Sequence, residues 1–246
     1  MLRRLFERQV QTQSDGLDSP IVSREPLGQA YFMNKVTLQN GREAIEYYGS
    51  KARTEGAAGI VDSDLGFNVM PETLAGPDQT LQEFMDTDST RVDYKSDAVR
   101  ERILRIGLFD YVVGRSDIRG YESVYHSNHL ESGGEIYSTD YGDAFQGPSY
   151  SPFYLEYVNF TNIPKDLMKG LARFARNTEH QENLRQRLID QGVQPEFIDG
   201  MYERVNKLVE VLHTKTLGSR MLKVNKFDFI MAKQLNNFAK AKWLRR

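Results

Sequence analysis

Two aspartates give the first chemical hint. Asp117 and Asp140 stand about 23 residues apart. Asp117 comes soon after an apolar run that ends at Gly114 and is flanked by Arg115 and Arg119; Asp140 sits in Thr139-Asp140-Tyr141-Gly142-Asp143-Ala144-Phe145. A hairpin-like stretch separates them. Two acids, each just beyond an apolar element, suit phosphoryl transfer. One carboxylate would orient or deprotonate an acceptor hydroxyl, and the other would hold Mg²⁺ against the β- and γ-phosphates. Carboxylate oxygen is the hard ligand that Mg²⁺ takes. On spacing alone the pair reads as two turn residues, because Asp beside Gly is above all a turn signature. The surrounding motifs have to decide between the two readings.

The elements that would position these acids can be sketched from the hydrophobic pattern. A helix is expected from about Ser96 to Val113: Val99, Ile103 and Ile106 set one face, Leu108, Phe109 and Val112 extend it, and Gly114 stops it. Upstream, two β-rich runs flank Asn40-Gly41, the strongest short hairpin signal, in which both central residues take φ > 0. A two-residue turn there pairs Val36 with Ile45 and Leu38 with Glu43, and sets Lys35 opposite Glu46 on the other face. An Ala-rich helix follows, with Ser50 as its N-cap and Gly66 as its stop. Phe67 to Val69 reads as a short strand, and Leu81 to Met85 as a helical turn in a polar stretch. After Gly114, a region of loop and strand rich in Ser, Gly, His and Tyr reaches about Tyr157. Helices are expected again over Pro164–Arg176, Gln181–Gln191, Pro195–His213 and Phe227–Leu244, with Pro164 and Pro195 suited to first-turn positions.

Composition removes several alternatives. With 246 residues the chain can form one large domain or two lobes. It has no cysteine, which excludes disulfide scaffolds, Cys-ligated zinc, iron–sulfur clusters and thiol catalysis. A formal net charge of −2 excludes a generally basic nucleic-acid binder. No apolar run approaches the roughly 18 residues of a membrane span, and the start lacks the apolar core of a secretory signal. A soluble cytoplasmic protein is the expectation.

The segment from Phe109 to Gly147 resembles the catalytic core of the atypical kinase group that includes Hip-type toxin kinases, phosphatidylinositol 3- and 4-kinases and secretory-pathway protein kinases. Those families carry Asp-Tyr-Leu-hydrophobic-Gly, then Asn-x-Asp-Arg-His-x-x-Asn, then Ile-Asp-x-Gly-x-x-Phe. Here Asp110-Tyr111-Val112-Val113-Gly114, Asp117 and Asp140-Tyr141-Gly142-Asp143-Ala144-Phe145 match in order and spacing. Upstream, Gly41-Arg42-Glu43-Ala44-Ile45 resembles the strand that leads to an ATP-contacting lysine. Leu65-Gly66-Phe67-Asn68-Val69-Met70-Pro71-Glu72-Thr73 resembles the family's Leu-Gly-x-x-x-x-Pro-x-Thr, and Gln79 to Phe84 is similar to the linker between lobes. The resemblance covers roughly residues 30–215 as a string of short motifs.

The resemblance implies an α+β, two-lobed, protein-kinase-like fold with a small strand-rich N-lobe and a mostly helical C-lobe. The expected division is 1–27 as N-terminal helix and loop, 28–75 as N-lobe, 76–220 as C-lobe and 221–246 as a basic C-terminal helix. It implies ATP and Mg²⁺ as cofactors and an acceptor that is a protein, a lipid or a small molecule. Asp117 would be the acceptor-positioning base and Asp140 the metal ligand. The sequence departs from the family at several places. Glu46-Tyr47 stands where the strand lysine is expected, Glu122 replaces the metal-binding Asn, and Ile118-Arg119 replaces Arg-His. Glu122 remains an oxygen ligand for Mg²⁺. Either Lys35 or Lys51 would supply the missing phosphate contact, oriented by Glu55, or the chain is a pseudokinase-like binding or structural protein. Lys35 has a second reading as the cross-strand ion-pair partner of Glu46, Lys51 as a solvated first-turn residue, and Glu55 as an ordinary exposed helix acid. His126 and His129 with Glu131 lack an obvious third metal ligand, and the basic tail around Trp243 reads as a solvated helix end.

Overall fold

The computed structural model describes residues 16–27, 32–86, 93, 96–115, 129–145 and 163–218, with the backbone alone for 211–218. The expected N-terminal and C-terminal helices, and with them Asp117, Glu122 and His126, lie outside these residues.

Five strands form an antiparallel sheet: β1 (Ile21–Pro26), β2 (Met33–Leu38), β3 (Glu43–Tyr48), β4 (Thr73–Leu74) and β5 (Gln79–Glu83), in the order β1-β2-β3-β5-β4. Between β3 and β4 runs α1 (Gly49–Leu65), which packs on β3, β4 and β5. Next come α2 (Asp97–Val113), a two-stranded hairpin of β6 (His129–Ser132) and β7 (Glu135–Ser138), and three helices, α3 (Lys165–Phe174), α4 (Thr178–Asp190) and α5 (Pro195–Gly218). A small antiparallel sheet with one helix, followed by a mostly helical half, is the two-lobed α+β arrangement that the sequence implied.

Both helices before the hairpin end, and α2 also begins, as their sequence dictates. Ser96 caps α2 by accepting from the Val99 N–H, and Gly114 closes it in the left-handed region at φ 66. Gly66 closes α1 the same way at φ 76. Ser50, however, lies inside α1, whose N-cap is Tyr48. The chain passes directly from β3 into the helix through Gly49 at φ 60, so there is no room for a separate capping residue.

Three strand expectations are corrected. Ile21–Pro26 is the edge strand β1, not loop. Leu81 to Met85 is not a helical turn: Gln79–Glu83 is β5, paired with β3 and β4, and its Thr80/Gln82 and Leu81 sets alternate across the sheet. Phe67 to Val69 is irregular, held by Asp62, whose carboxylate accepts from the Val69 and Met70 N–H groups at 2.9 and 3.2 Å.

The β2–β3 hairpin is shifted by one residue from the expected register. Gly41 N–H donates to Leu38 O and Leu38 N–H to Arg42 O, so the turn is centred on Gln39-Asn40, with Gly41 alone at positive φ, 84°. This longer loop ends in a glycine bulge and pairs Val36 with Ala44 and Lys35 with Ile45. A slip of one residue exchanges faces. Ala44 and Glu46 therefore lie on the Val36 face, where Leu17, Val36, Leu38, Ala44 and Leu81 form a small apolar cluster. Tyr47, Thr80 and Gln82 lie on the opposite face, towards α1, with Thr80 Oγ1 donating to Ala52 O.

The main core joins α1 to the helical half. Val61, Leu65, Phe67, Phe109, Val112, Tyr141, Leu171, Leu184 and Met201 are among its fully or almost fully buried members. Polar contacts add to this seam. Gln191, in the turn after α4, donates to Ala52 O at 3.0 Å and Gly76 O at 2.8 Å. Asp64 at the end of α1 meets His180 and Arg187 of α4, each at 2.6 Å. The position of α1 is thus set by both halves of the molecule.

Candidate functional site

The site is built where the first turns of α1 meet the turn after β7. Lys51 and Glu55 are four residues apart on α1 and so project from one side of it. Ser138 ends β7, and two residues later Asp140 takes φ 59, a left-handed conformation that costs a non-glycine residue about 1 kcal/mol or more. The bend carries the Asp140 side chain to α1, where Lys51 Nζ lies 3.1 Å from its Oδ1. Phe145 closes the same segment at φ 59, buried, with its N–H on Val113 O at the end of α2.

Glu55 lies beside this ion pair and is fully buried. Neither of its carboxylate oxygens has a well-formed hydrogen bond among the described residues. Burial, and then the negative charge of Asp140, push its pKa up to about 8; the Tyr141 amide, Lys51 and Arg115 offset only part of this. Glu55 is buried and Asp140 is about half exposed; their carboxylates are oxygen ligands of the kind a divalent cation takes, and such an ion would offset the repulsion between them. Among the described residues no group of three or more His, Asp or Glu side chains could hold a metal ion. The half-exposed Lys51 is placed to face an anion as well as Asp140.

Of the residues singled out from sequence, then, Lys51, Glu55 and Asp140 come together. Glu55 is not the exposed helix acid that the sequence also allowed. Lys35 stands apart from them, with Nζ 2.8 Å from Glu43 and 4.1 Å from the centre of the Phe84 ring, at the far end of β3. Its expected pairing with Glu46 is not formed, because the shifted register sets Asn34 opposite Glu46. Glu46 is fully buried and accepts from Arg24 and Asn34, and also from Tyr48 and Gln79. Burial opposes its charge, but these donors outweigh burial and hold its pKa below the ordinary carboxylate value.

Two residues of the site were not read from sequence. Tyr47, rather than Glu46, is the β3 residue that faces α1. Its hydroxyl lies 3.2 Å from Gln82 Oε1, and its pKa is raised first by burial and then by the charges of Glu55 and Asp140. The signal was the strand alternation, once β5 is recognised as a strand. Arg115 was noted only as a neighbour of Asp117, yet it is buried and binds the backbone around Asp140. His129 of β6 is held neutral by burial, with its pKa lowered to about 4.

The sheet order, the helix between β3 and β4 that meets an aspartate after a later hairpin, and the helical second half define an atypical protein-kinase-like fold. Two crystal structures bear this out. The crystal structure of the Golgi casein kinase with Mn/ADP bound aligns over 79% of this chain and 73% of its own at a TM-score of 0.50 and 13% identity. A second crystal structure of the Golgi casein kinase aligns over 80% and 74% at a TM-score of 0.51. The Helicobacter pylori proinflammatory kinase CtkA covers 84% of this chain at 12% identity, with a TM-score of 0.43. No protein-family sequence model and no curated protein matches the sequence. No described helix is long and apolar enough to cross a membrane.

Proposed function

We propose that this chain is an ATP- and Mg²⁺-dependent phosphotransferase acting on a hydroxyl acceptor in a protein, lipid or small molecule. The observation that carries the reading is the meeting of Lys51, Glu55 and Asp140 between α1 and the β7 turn, the residues that the sequence resemblance assigns to metal and phosphate. Asp140, with Glu55 beside it, would hold the metal, and Lys51 would leave Asp140 to contact phosphate. A bound Mg²⁺ would supply positive charge against the transferring phosphoryl group. Asp117, on the strength of the sequence resemblance, would orient the acceptor hydroxyl and take its proton, and Glu122 would add an oxygen ligand. Lys35, beside Phe84, is the alternative cation at the nucleotide. The Mn/ADP found in the Golgi casein kinase supports the choice of ligands.

A second reading is a pseudokinase-like binding protein that retains the scaffold without turnover. Tyr47 favours it, since the β3 residue facing Glu55 carries no positive charge to neutralise α- and β-phosphates. Thermal shift with Mg·ATP, followed by turnover of radiolabelled ATP, separates the two. Stabilisation with turnover supports the enzyme, stabilisation alone the binding protein, and the absence of both leaves a purely structural module.

A further inference from the structure

Arg115 follows directly on the glycine that ends α2, a position where a charged residue is ordinarily solvated. Here its side chain is only 1% exposed. Burying a guanidinium is costly unless its donors are satisfied. Several of those donors reach one short segment. Nη2 donates to Thr139 O at 3.1 Å and to Asp140 O at 2.8 Å, and Nη1 reaches Ser138 Oγ at 3.5 Å. The group also stacks over the Tyr141 ring, 4.6 Å from its centre. Its charge partner is Asp110 in the last turn of α2, fully buried, with Oδ1 3.6 Å from Nη1. The Tyr141 hydroxyl closes the set, 3.1 Å from Asp110 Oδ1 and 2.6 Å from Ser138 Oγ. One guanidinium thus touches four consecutive residues, Ser138 to Tyr141, and ties them to α2.

The consequence falls on Asp140. Its φ of 59° is unfavourable for an aspartate, and the Asp140 carbonyl is held on Arg115 while the carboxylate is held by Lys51 on α1. With the carbonyl restrained, the Cα–Cβ bond of Asp140 has fewer directions open to it, and the Lys51 contact selects among the remaining rotamers. We infer that Arg115 is a positioning residue: its guanidinium, anchored on Asp110, holds the strained backbone at Asp140 and thereby aims the Asp140 carboxylate at α1. This deepens the functional reading above, because aiming Asp140 matters to catalysis only if Asp140 holds the metal. A planar fork with several donors is needed, so lysine is not an equivalent residue here.

The test uses the whole chain with Mn²⁺ and ADP as probes, and compares wild type with Arg115→Met and Arg115→Lys. Mn²⁺·ADP affinity is measured by titration, and crystal structures give the backbone at residue 140. The expected result is a folded variant that binds Mn²⁺·ADP roughly tenfold or more weakly, as when a residue supporting a metal ligand is removed. In its structure, Asp140 has left the positive-φ region and the Lys51 contact. A folded Arg115→Met with wild-type affinity and Asp140 still at positive φ against Lys51 overturns the inference. If Arg115→Met does not fold, Arg115→Lys decides by the same two readouts. If wild type itself binds no Mn²⁺·ADP, the phosphotransferase reading falls, and the structure of Arg115→Lys still decides the positioning role: an unmoved Asp140 overturns it and a displaced Asp140 upholds it.

Discussion

Arg24 of β1 and Glu46 of β3 form a two-pronged ion pair, Nε to Oε2 at 3.0 Å and Nη2 to Oε1 at 3.1 Å, on the sheet face turned away from α1. Glu46 occupies the place where motif matching expects a phosphate-binding lysine, yet its side chain is fully buried among donors. Replacing it with lysine would set two cations against each other, take the acceptor from Gln79 and leave Asn34 on the Tyr48 hydroxyl. Glu46→Lys is therefore expected to destabilise the protein by about 3 kcal/mol or more, with no gain in nucleotide affinity. Tyr47→Lys, which places the ammonium on the Glu55 side, is expected to cost no more than about 2 kcal/mol and to tighten Mg·ATP binding. Chemical denaturation and nucleotide titration of the two variants check this; the opposite ranking would mean that the face assignment is wrong.

Lys51 and Asp140 are both partly exposed, so their ion pair contributes at most about 1 kcal/mol to stability. Lys51→Met should leave the unfolding midpoint almost unchanged while weakening Mg·ATP binding roughly tenfold, the effect of losing one charge-assisted phosphate contact. Lys51→Arg should recover much of the affinity. If Lys51→Met binds as wild type does, Lys35 becomes the cation to examine.

Gln191 is buried and ties the helical half to α1 through Ala52 O and to the β4–β5 connection through Gly76 O. Gln191→Ala removes one donor from each carbonyl while Thr80 Oγ1 remains on both, at 2.7 Å from Ala52 O and 3.3 Å from Gly76 O, and should cost on the order of 1–2 kcal/mol. Gly56→Ala attacks the same contact from the other side, since its Cβ would stand 2.2 Å from Gln191 Nε2. Both variants should unfold at lower denaturant concentration. Unchanged midpoints would show that α1 is not held at this seam.

Asp62 provides a pH test. Burial raises its pKa to about 6, although the Val69 and Met70 N–H groups favour the charged form and offset part of the shift. A carboxyl group with a raised folded pKa contributes stability that is complete below its unfolded pKa, near 3.8, and is lost as pH rises through 6. The difference in stability between wild type and Asp62→Ala should therefore grow as pH falls from 7 to 4, by on the order of 1–3 kcal/mol. Denaturation at a series of pH values measures it, and a difference that shrinks on acidification contradicts the assignment.

What was legible in the sequence follows from how local each signal is. Ser96, Gly66 and Gly114 act within one helical turn, and the elements they bound formed as expected. Asn40-Gly41 correctly marked a hairpin, but two residues cannot distinguish a two-residue turn from a longer loop with a glycine bulge, and that one-residue difference exchanged the roles of Glu46 and Tyr47. β1 was hidden because five of its six residues are exposed, so it carries little alternation of apolar and polar residues. The joining of Lys51 and Glu55 with Asp140 could be anticipated only through the order of the family-like motifs. Arg115 could not be anticipated at all. An arginine after a helix-ending glycine looks solvated, and only the fold of residues 138–141 around it reveals that it is buried.

The most direct measurement is Mg·ATP binding by the intact chain and by its Asp140→Ala variant, with thermal unfolding of each recorded alongside. A loop carboxylate that faces another acid contributes little to stability, so Asp140→Ala should unfold within a few degrees of wild type, while wild type binds Mg·ATP saturably and the variant does not. A variant that binds Mg·ATP as wild type does, or a wild-type protein that binds none at any Mg²⁺ concentration, would contradict the reading of Asp140 and its neighbours as a metal–nucleotide site.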